Sequence, residues 1–193
     1  VSVLRVINDD KVAAGKGFQP HSHQDMEIIS YVKKGTIEHK DSMGNIEQLP
    51  AGEFQIMSAG TGVTHSEYNP STTEPLEFLQ IWIQPNVQGI QPGYQQKLFD
   101  DQKGLQLIAS PDARDDSLLI HQDACLYQLQ LGDGQSTSHT VEQGRTVYIH
   151  VVSGSINIMG ERLTAGDGAT IIDEDVVEFI ANDTSQTLVF DLP

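Results

Sequence analysis

Short apolar runs, rich in β-branched and aromatic residues, recur along the chain: Ile28–Val32, Phe54–Met57, Phe78–Ile83, Tyr127–Leu131, Thr146–Val152, Ser155–Met159, Ala169–Ile172 and Thr187–Leu192. Each is too short for a multi-turn helix, and no segment sustains apolar residues at i, i+3, i+4 and i+7 between caps. Turn signals separate the runs: Lys34-Gly35, Met43-Gly44-Asn45, Pro50-Ala51-Gly52, Ser153-Gly154 and Ala165-Gly166-Asp167. The pattern predicts an all-β chain of sandwiches or closed barrels, architectures that leave few sheet edges exposed. Residues 84–124 are poorer in apolar runs and rich in Gln, Asp and Pro, so they read as a connector with some short structure. Within them, Ser110–Asp116 has the composition of a turn.

The two halves of the chain repeat one order of elements. Ile29–His39, turning at Gly35, precedes Leu49-Pro-Ala-Gly52-Glu-Phe, and Tyr148–Ile158, turning at Gly154, precedes Leu163-Thr-Ala-Gly166-Asp-Gly. Each half reads strand, glycine turn, strand, loop, Ala-Gly-acid turn, strand. Duplication of one small barrel accounts for this, with a first domain over 1–85, a connector over 86–124 and a second domain over 125–193.

Charge narrows the function. Acidic residues outnumber basic ones 27 to 11, for a net charge of −16 in 193 residues. Nucleic-acid binding draws on Lys and Arg neutralising phosphates, so direct contact with DNA or RNA is disfavoured, as is docking on an anionic membrane. No apolar stretch approaches the roughly 18 residues that span a bilayer. A single cysteine, Cys125, excludes an internal disulfide and fits a reducing, cytoplasmic setting; it reads as a buried apolar residue. The amino end resembles no signal peptide and lacks an initiator Met, as expected of a piece of a longer product.

The chemistry concentrates in four residues. His21 and His23 lie two apart at the entrance to a β run, and residues i and i+2 of a strand face the same side. His65 and Glu67 repeat that spacing. Three neutral imidazoles and a carboxylate suit one divalent first-row metal with open coordination positions. A lone histidine reads as a surface or hydrogen-bonded residue, and His39, His121, His139 and His150 are taken that way; Trp82 reads as core. Spacing leaves the carboxylate open, because Glu27 shares strand parity with His21 and His23 while Glu67 matches His65.

The surroundings of these residues resemble the two cupin motifs. Gly15, His21-Ser-His23 and Glu27 open the first; Gly44, Pro50-Ala-Gly52, His65 and Asn69 form the second, with a longer interval from Gly52 to His65 than a typical cupin has. That interval, Phe54-Gln-Ile-Met-Ser-Ala-Gly-Thr-Gly-Val-Thr-His-Ser-Glu-Tyr68, resembles the pirin family, as do Leu4-Arg-Val-Ile-Asn-Asp-Asp10, Pro20–Glu27 and Leu79-Gln-Ile-Trp-Ile83. The chain most resembles bacterial pirin-like proteins named quercetin 2,3-dioxygenases, although the His-Thr-Phe-Ser-Phe-like segment that opens family members is not in it.

The resemblance implies a bicupin, two tandem double-stranded β-helix (jelly-roll) barrels. It implies metal ligation by His21, His23, His65 and Glu67, with Glu67 rather than Glu27 as the carboxylate and as candidate general base. Fe2+ is the first expectation, with Mn, Co, Ni, Cu or Zn as alternatives. The implied partners are a flavonol and O2. The family also contains regulators that act on other proteins, the alternative to an enzyme; a sugar-binding or isomerase cupin has fold-level support only. A monomer is expected. Comparing the halves without gaps sets Thr140, Glu142, Phe179 and Ala181 against the four ligands, so the second barrel is expected to hold no metal.

Overall fold

The computed structural model describes all 193 residues. The chain divides into two compact units, one of Leu4–Phe99 with Leu118–Gln122, the other of Val1–Val3, Asp100–Ser117 and Asp123–Pro193. None of its elements is a helix long and apolar enough to cross a membrane.

The first unit holds β1 (Leu4–Val12), β2 (Gly17–His23), β3 (Glu27–Lys34), β4 (Thr36–Asp41), β5 (Ile46–Pro50), β6 (Glu53–Ser58), β7 (Val63–Tyr68), β8 (Leu76–Ile83) and β9 (Gly93–Leu98). They form two antiparallel sheets, in the orders β1-β8-β3-β6-β9 and β2-β7-β4-β5. The central strand β3 is buried from Glu27 through Val32, which explains its unbroken apolar run. Strand β4 alternates instead, turning Ile37 and His39 inward. Between these strands Gly35 adopts φ +84°, a left-handed conformation that strains any side chain. The interior packs Val12, Val32, Ile37, Leu49, Leu76 and Phe78 at one place. Ile28, Met57, Ala59 and Val63 pack at another, against Met26 and Trp82. Each such apolar side chain contributes about 1.5–3 kcal/mol by leaving water.

The chain continues through β10 (Gly104–Ser110), a 3-10 turn at Arg114–Asp116 and β11 (Leu118–Leu119). The remaining strands are β12 (Cys125–Leu131), β13 (Ser136–Thr140), β14 (Thr146–Ser153), β15 (Ser155–Ile158), β16 (Glu161–Thr164), β17 (Gly168–Ile171), β18 (Val176–Ala181) and β19 (Ser185–Leu192). The second unit's sheets run β10-β12-β19-β14-β17 and β13-β18-β15-β16. Read in chain order, β12 to β19 repeat the pairing of β1 to β8 strand for strand. The chain is therefore a duplicated all-β bicupin.

Strands β9 and β10 fall in the stretch that composition marks as connector. Strand β9 pairs with β6 and β10 with β12, so the stretch extends a sheet in each unit. Strand β9 is polar because its glutamines serve as bonding groups. Gln95 bonds the main chain of Leu119 through both ends of its amide, and Gln96 donates to the Gln48 carbonyl. Hydrophobic periodicity is blind to a strand of that kind.

Candidate metal centre

Strands β2 and β7 lie side by side, and their register sets His21 directly opposite His65. The two strands approach closely at Gly17, where a Cβ would stand 2.3 Å from the Glu67 carbonyl oxygen and 2.6 Å from the Tyr68 Cα. Alternation along β2 adds His23 on the same face. The three imidazoles converge, with ring centroids 4.9 Å apart for His21–His23, 4.4 Å for His21–His65 and 5.0 Å for His23–His65. One nitrogen from each lies within 4.8 Å of the others, a spacing that a metal ion can bridge.

The nitrogens are poised as ligands. His21 Nδ1 sits 2.7 Å from the Gln19 carbonyl, so this nitrogen carries the proton and Nε2 keeps its lone pair. His23 Nε2 and both nitrogens of His65 are buried without a hydrogen-bond partner. Buried polar atoms are almost always satisfied, so three orphans in one chamber fit an ion coordinated there. Burial, then the neighbouring His21 and His23, push the His65 pKa down to about 3. His23 is lowered by burial and by His21. His65 therefore offers a neutral ring at ordinary pH, the state that metal binding requires.

Glu67 follows His65 on the same inner face and is 2% exposed. Gln80 Nε2 donates to one carboxylate oxygen at 2.8 Å and Ser30 Oγ to the other at 3.3 Å. Trp82 Nε1 fixes Gln80 in turn, at 3.1 Å from Gln80 Oε1. Burial pushes the Glu67 carboxyl up to about 7; the Ser30 and Gln80 hydrogen bonds oppose that rise and Asp10 adds to it.

Glu27 belongs to a different set of contacts. Its carboxylate accepts from Ser58 Oγ at 3.0 Å and from the His121 main-chain N–H at 3.4 Å, with His121 Nδ1 also 3.4 Å away. Burial is the largest cause of its raised pKa, offset by Ser58 and His121. Trp82 lies edge-on to His23, with centroids 5.1 Å apart, so it is wall to the chamber as well as core.

His39, which sequence reading leaves as structural or surface, is fully buried in the same chamber. It stands opposite Glu67 in the β4–β7 register, and its Nε2 bonds Asp41 Oδ2 at 2.8 Å. His39, His65 and Glu67 each offer a donor atom within 4.8 Å of the other two. Its inward parity with Ile37 on β4 is the signal that could have found it.

In the second unit Phe179 and Ala181 face inward, while Thr140 and Glu142 are exposed. His139 turns inward instead and bonds Asp191 Oδ2 at 2.9 Å, and Asp191 also takes the Arg145 guanidinium. The ungapped comparison of the halves misplaces this strand because residues 141–145 separate β13 from β14, whereas only 24–26 separate β2 from β3. Cys125 is buried, with its Sγ 3.2 Å from Arg114 Nη2.

Two cupin barrels in series, the first with a histidine cluster inside it, define a bicupin of the metal-site class. Two family descriptions fit the chain: Pirin over residues 2–83, and Quercetinase C-terminal cupin domain over residues 107–192. The quercetin 2,3-dioxygenase of Escherichia coli (strain K12) is 54% identical over 192 residues, covering 100% of this chain and 83% of the relative. The crystal structure of YhhW from Escherichia coli superposes with a TM-score of 0.98 at 54% identity, over 100% of this chain and 82% of that one. A nickel(II) complex of the bacterial pirin YhhW, at 53% identity, gives 0.97 over 100% of this chain and 83% of that one. The chain belongs to the pirin family.

Proposed function

We propose that this chain is a metal-dependent quercetin 2,3-dioxygenase, which opens the heterocyclic ring of a flavonol with O2 and releases carbon monoxide. The observation that carries this reading is the set of partnerless imidazole nitrogens on His23 and His65, with the buried Glu67 carboxyl beside His65. His21, His23, His65 and Glu67 would hold one divalent metal. Three nitrogens and a carboxylate favour iron, and the nickel complex of a relative supports a site that accepts more than one metal.

When bound, the metal supplies a Lewis-acidic centre that lowers the pKa of the flavonol 3-hydroxyl and templates the reaction with O2. Glu67 accepts the 3-hydroxyl proton. Burial raises the basicity of this carboxyl, which would suit it to take the proton when it swings partly off the metal. Gln80 and Ser30 hold the carboxylate by its two oxygens and keep it aimed while it changes charge. Trp82, edge-on to His23, gives the chamber an apolar wall.

The test is turnover by protein stripped of metal and reloaded with single metals, following oxygen uptake and ring-opened product from quercetin. Activity that disappears in Glu67→Ala and His65→Ala is the expected result. Metal binding without turnover by any loaded form would sink the enzymatic reading and leave a metal-binding regulator.

A further inference from the structure

Buried nitrogens without a partner lie on both His65 and His39, whose ring centroids are 5.5 Å apart across the β4–β7 pair. We infer that His39 is the positioning residue of the metal centre: once His65 binds metal, a small turn of the rings lets His39 accept a hydrogen bond from the non-ligating ring N–H of His65. Asp41, His39 and His65 then form one chain ending at the metal. The inference rests on the ligand set proposed above and adds a residue that does not touch the metal.

The case is an accounting of nitrogens. A neutral imidazole that gives one nitrogen to a metal carries hydrogen on the other, and that N–H needs an acceptor. For His21 the acceptor is the Gln19 carbonyl, at 2.7 Å. For His65, which is 1% exposed, both nitrogens are without a hydrogen-bond partner in the metal-free chain, so the second one still needs an acceptor when the first takes metal.

His39 carries the missing acceptor. Asp41 receives hydrogen bonds from Met43 N at 2.9 Å, Asn45 N at 3.1 Å and Asn45 Nδ2 at 2.8 Å, which fixes its carboxylate as an acceptor. His39 Nε2, 2.8 Å from that carboxylate, must then be the N–H donor. In the neutral ring this leaves a lone pair on Nδ1, which is buried and has no partner.

The geometry sets the His39 ring beside His65, with a nitrogen of each within 4.8 Å of the other. The two ring centroids are 5.5 Å apart, and the β4–β7 register pairs Asp41 with His65 and His39 with Glu67. Neither of the other close side chains supplies a proton to His39 in this arrangement. Tyr94, tilted against His39 at 4.8 Å, points its hydroxyl at Gln96 Oε1, 2.7 Å away, with Gln55 Oε1 at 3.1 Å as the second acceptor in reach. Glu67 accepts from Gln80 and Ser30.

The experiment uses the full chain, stripped of metal and titrated with zinc against a competing chelator. His39→Phe keeps a buried ring and removes the acceptor. Asp41→Asn keeps the size of Asp41 but offers His39 an N–H, which reverses its tautomer and sets two donors against each other. Both variants should bind zinc about 10- to 100-fold more weakly, the usual cost of losing a partner behind a metal ligand. His39→Gln, which restores an acceptor oxygen, should recover part of the loss.

In the zinc-loaded wild type, NMR should show a slowly exchanging His65 ring N–H that vanishes in His39→Phe and Asp41→Asn. If His39→Phe does not fold, Asp41→Asn decides the question. Wild-type binding with variants unchanged within twofold and the ring N–H intact would overturn the inference. Zinc binding that ignores His65→Ala would overturn the ligand set instead, so the two failures are distinguishable.

Discussion

Glu67 should make the metal-free protein less stable as pH rises. Its carboxyl titrates near 7 in the folded chain against an ordinary value of 4.5, because the group is buried. Folding therefore holds a proton that the unfolded chain has released. The neutral carboxyl is tolerated in full below 4.5, and the penalty for ionising it grows until pH passes the folded value. At about 1.4 kcal/mol per unit, the gap between 4.5 and about 7 amounts to about 3 kcal/mol. Most of it, about 2.5 kcal/mol, falls between about pH 5 and about pH 8. His65 acts with the opposite sign: its pKa is depressed to about 3, so its contribution is present above 6.5 and is lost as pH falls. Only comparison with a variant isolates Glu67. Glu67→Gln serves, since its amide oxygen can accept from Gln80 Nε2 while its NH2 donates to the Ser30 hydroxyl. Urea unfolding of chelator-treated protein across this range should show the variant gaining about 2.5 kcal/mol relative to wild type by about pH 8. A difference that stays flat with pH would refute the argument that burial holds this carboxyl protonated.

The same carboxyl should govern metal uptake: zinc affinity should fall about tenfold per pH unit below about 7. Glu67→Gln should flatten that slope, as competition titrations at several pH values would reveal. Gly17→Ala should part β2 from β7, since its Cβ would meet main-chain atoms at 2.3 and 2.6 Å. A loss of about 1–3 kcal/mol in denaturant unfolding is expected, together with weaker metal binding. Phe179→Ala, at a fully buried position in the second barrel, should cost about 3–5 kcal/mol while leaving zinc affinity in the first barrel unchanged if that barrel stays folded. An affinity loss in that variant would show that the two barrels are coupled.

The sequence by itself determined the local features. Short apolar runs and glycine turns fall within a few residues, so Ile28–Val32 and the turns at Gly35 and Gly154 were legible, and with them the duplication of one barrel. The pairing of His21 with His23 was legible too, because i and i+2 on a strand share a face, and the motif resemblance added His65, which the register of β2 on β7 brings opposite His21. Other features depended on which distant strands lie side by side. Glu27 and Glu67 have equal claims by parity, yet the fold gives Glu27 to Ser58 and His121 and sets Glu67 beside His39 and His65. His39 becomes part of the chamber only through the register of β4 on β7. The glutamine-rich strand β9 joins a sheet only because β6 is there to receive it. His139 meets Asp191 across 52 residues of chain. Hydrophobic pattern fixes which face a side chain takes, whereas the partner across that face is set by strand register, a property of the closed barrel and not of any one segment.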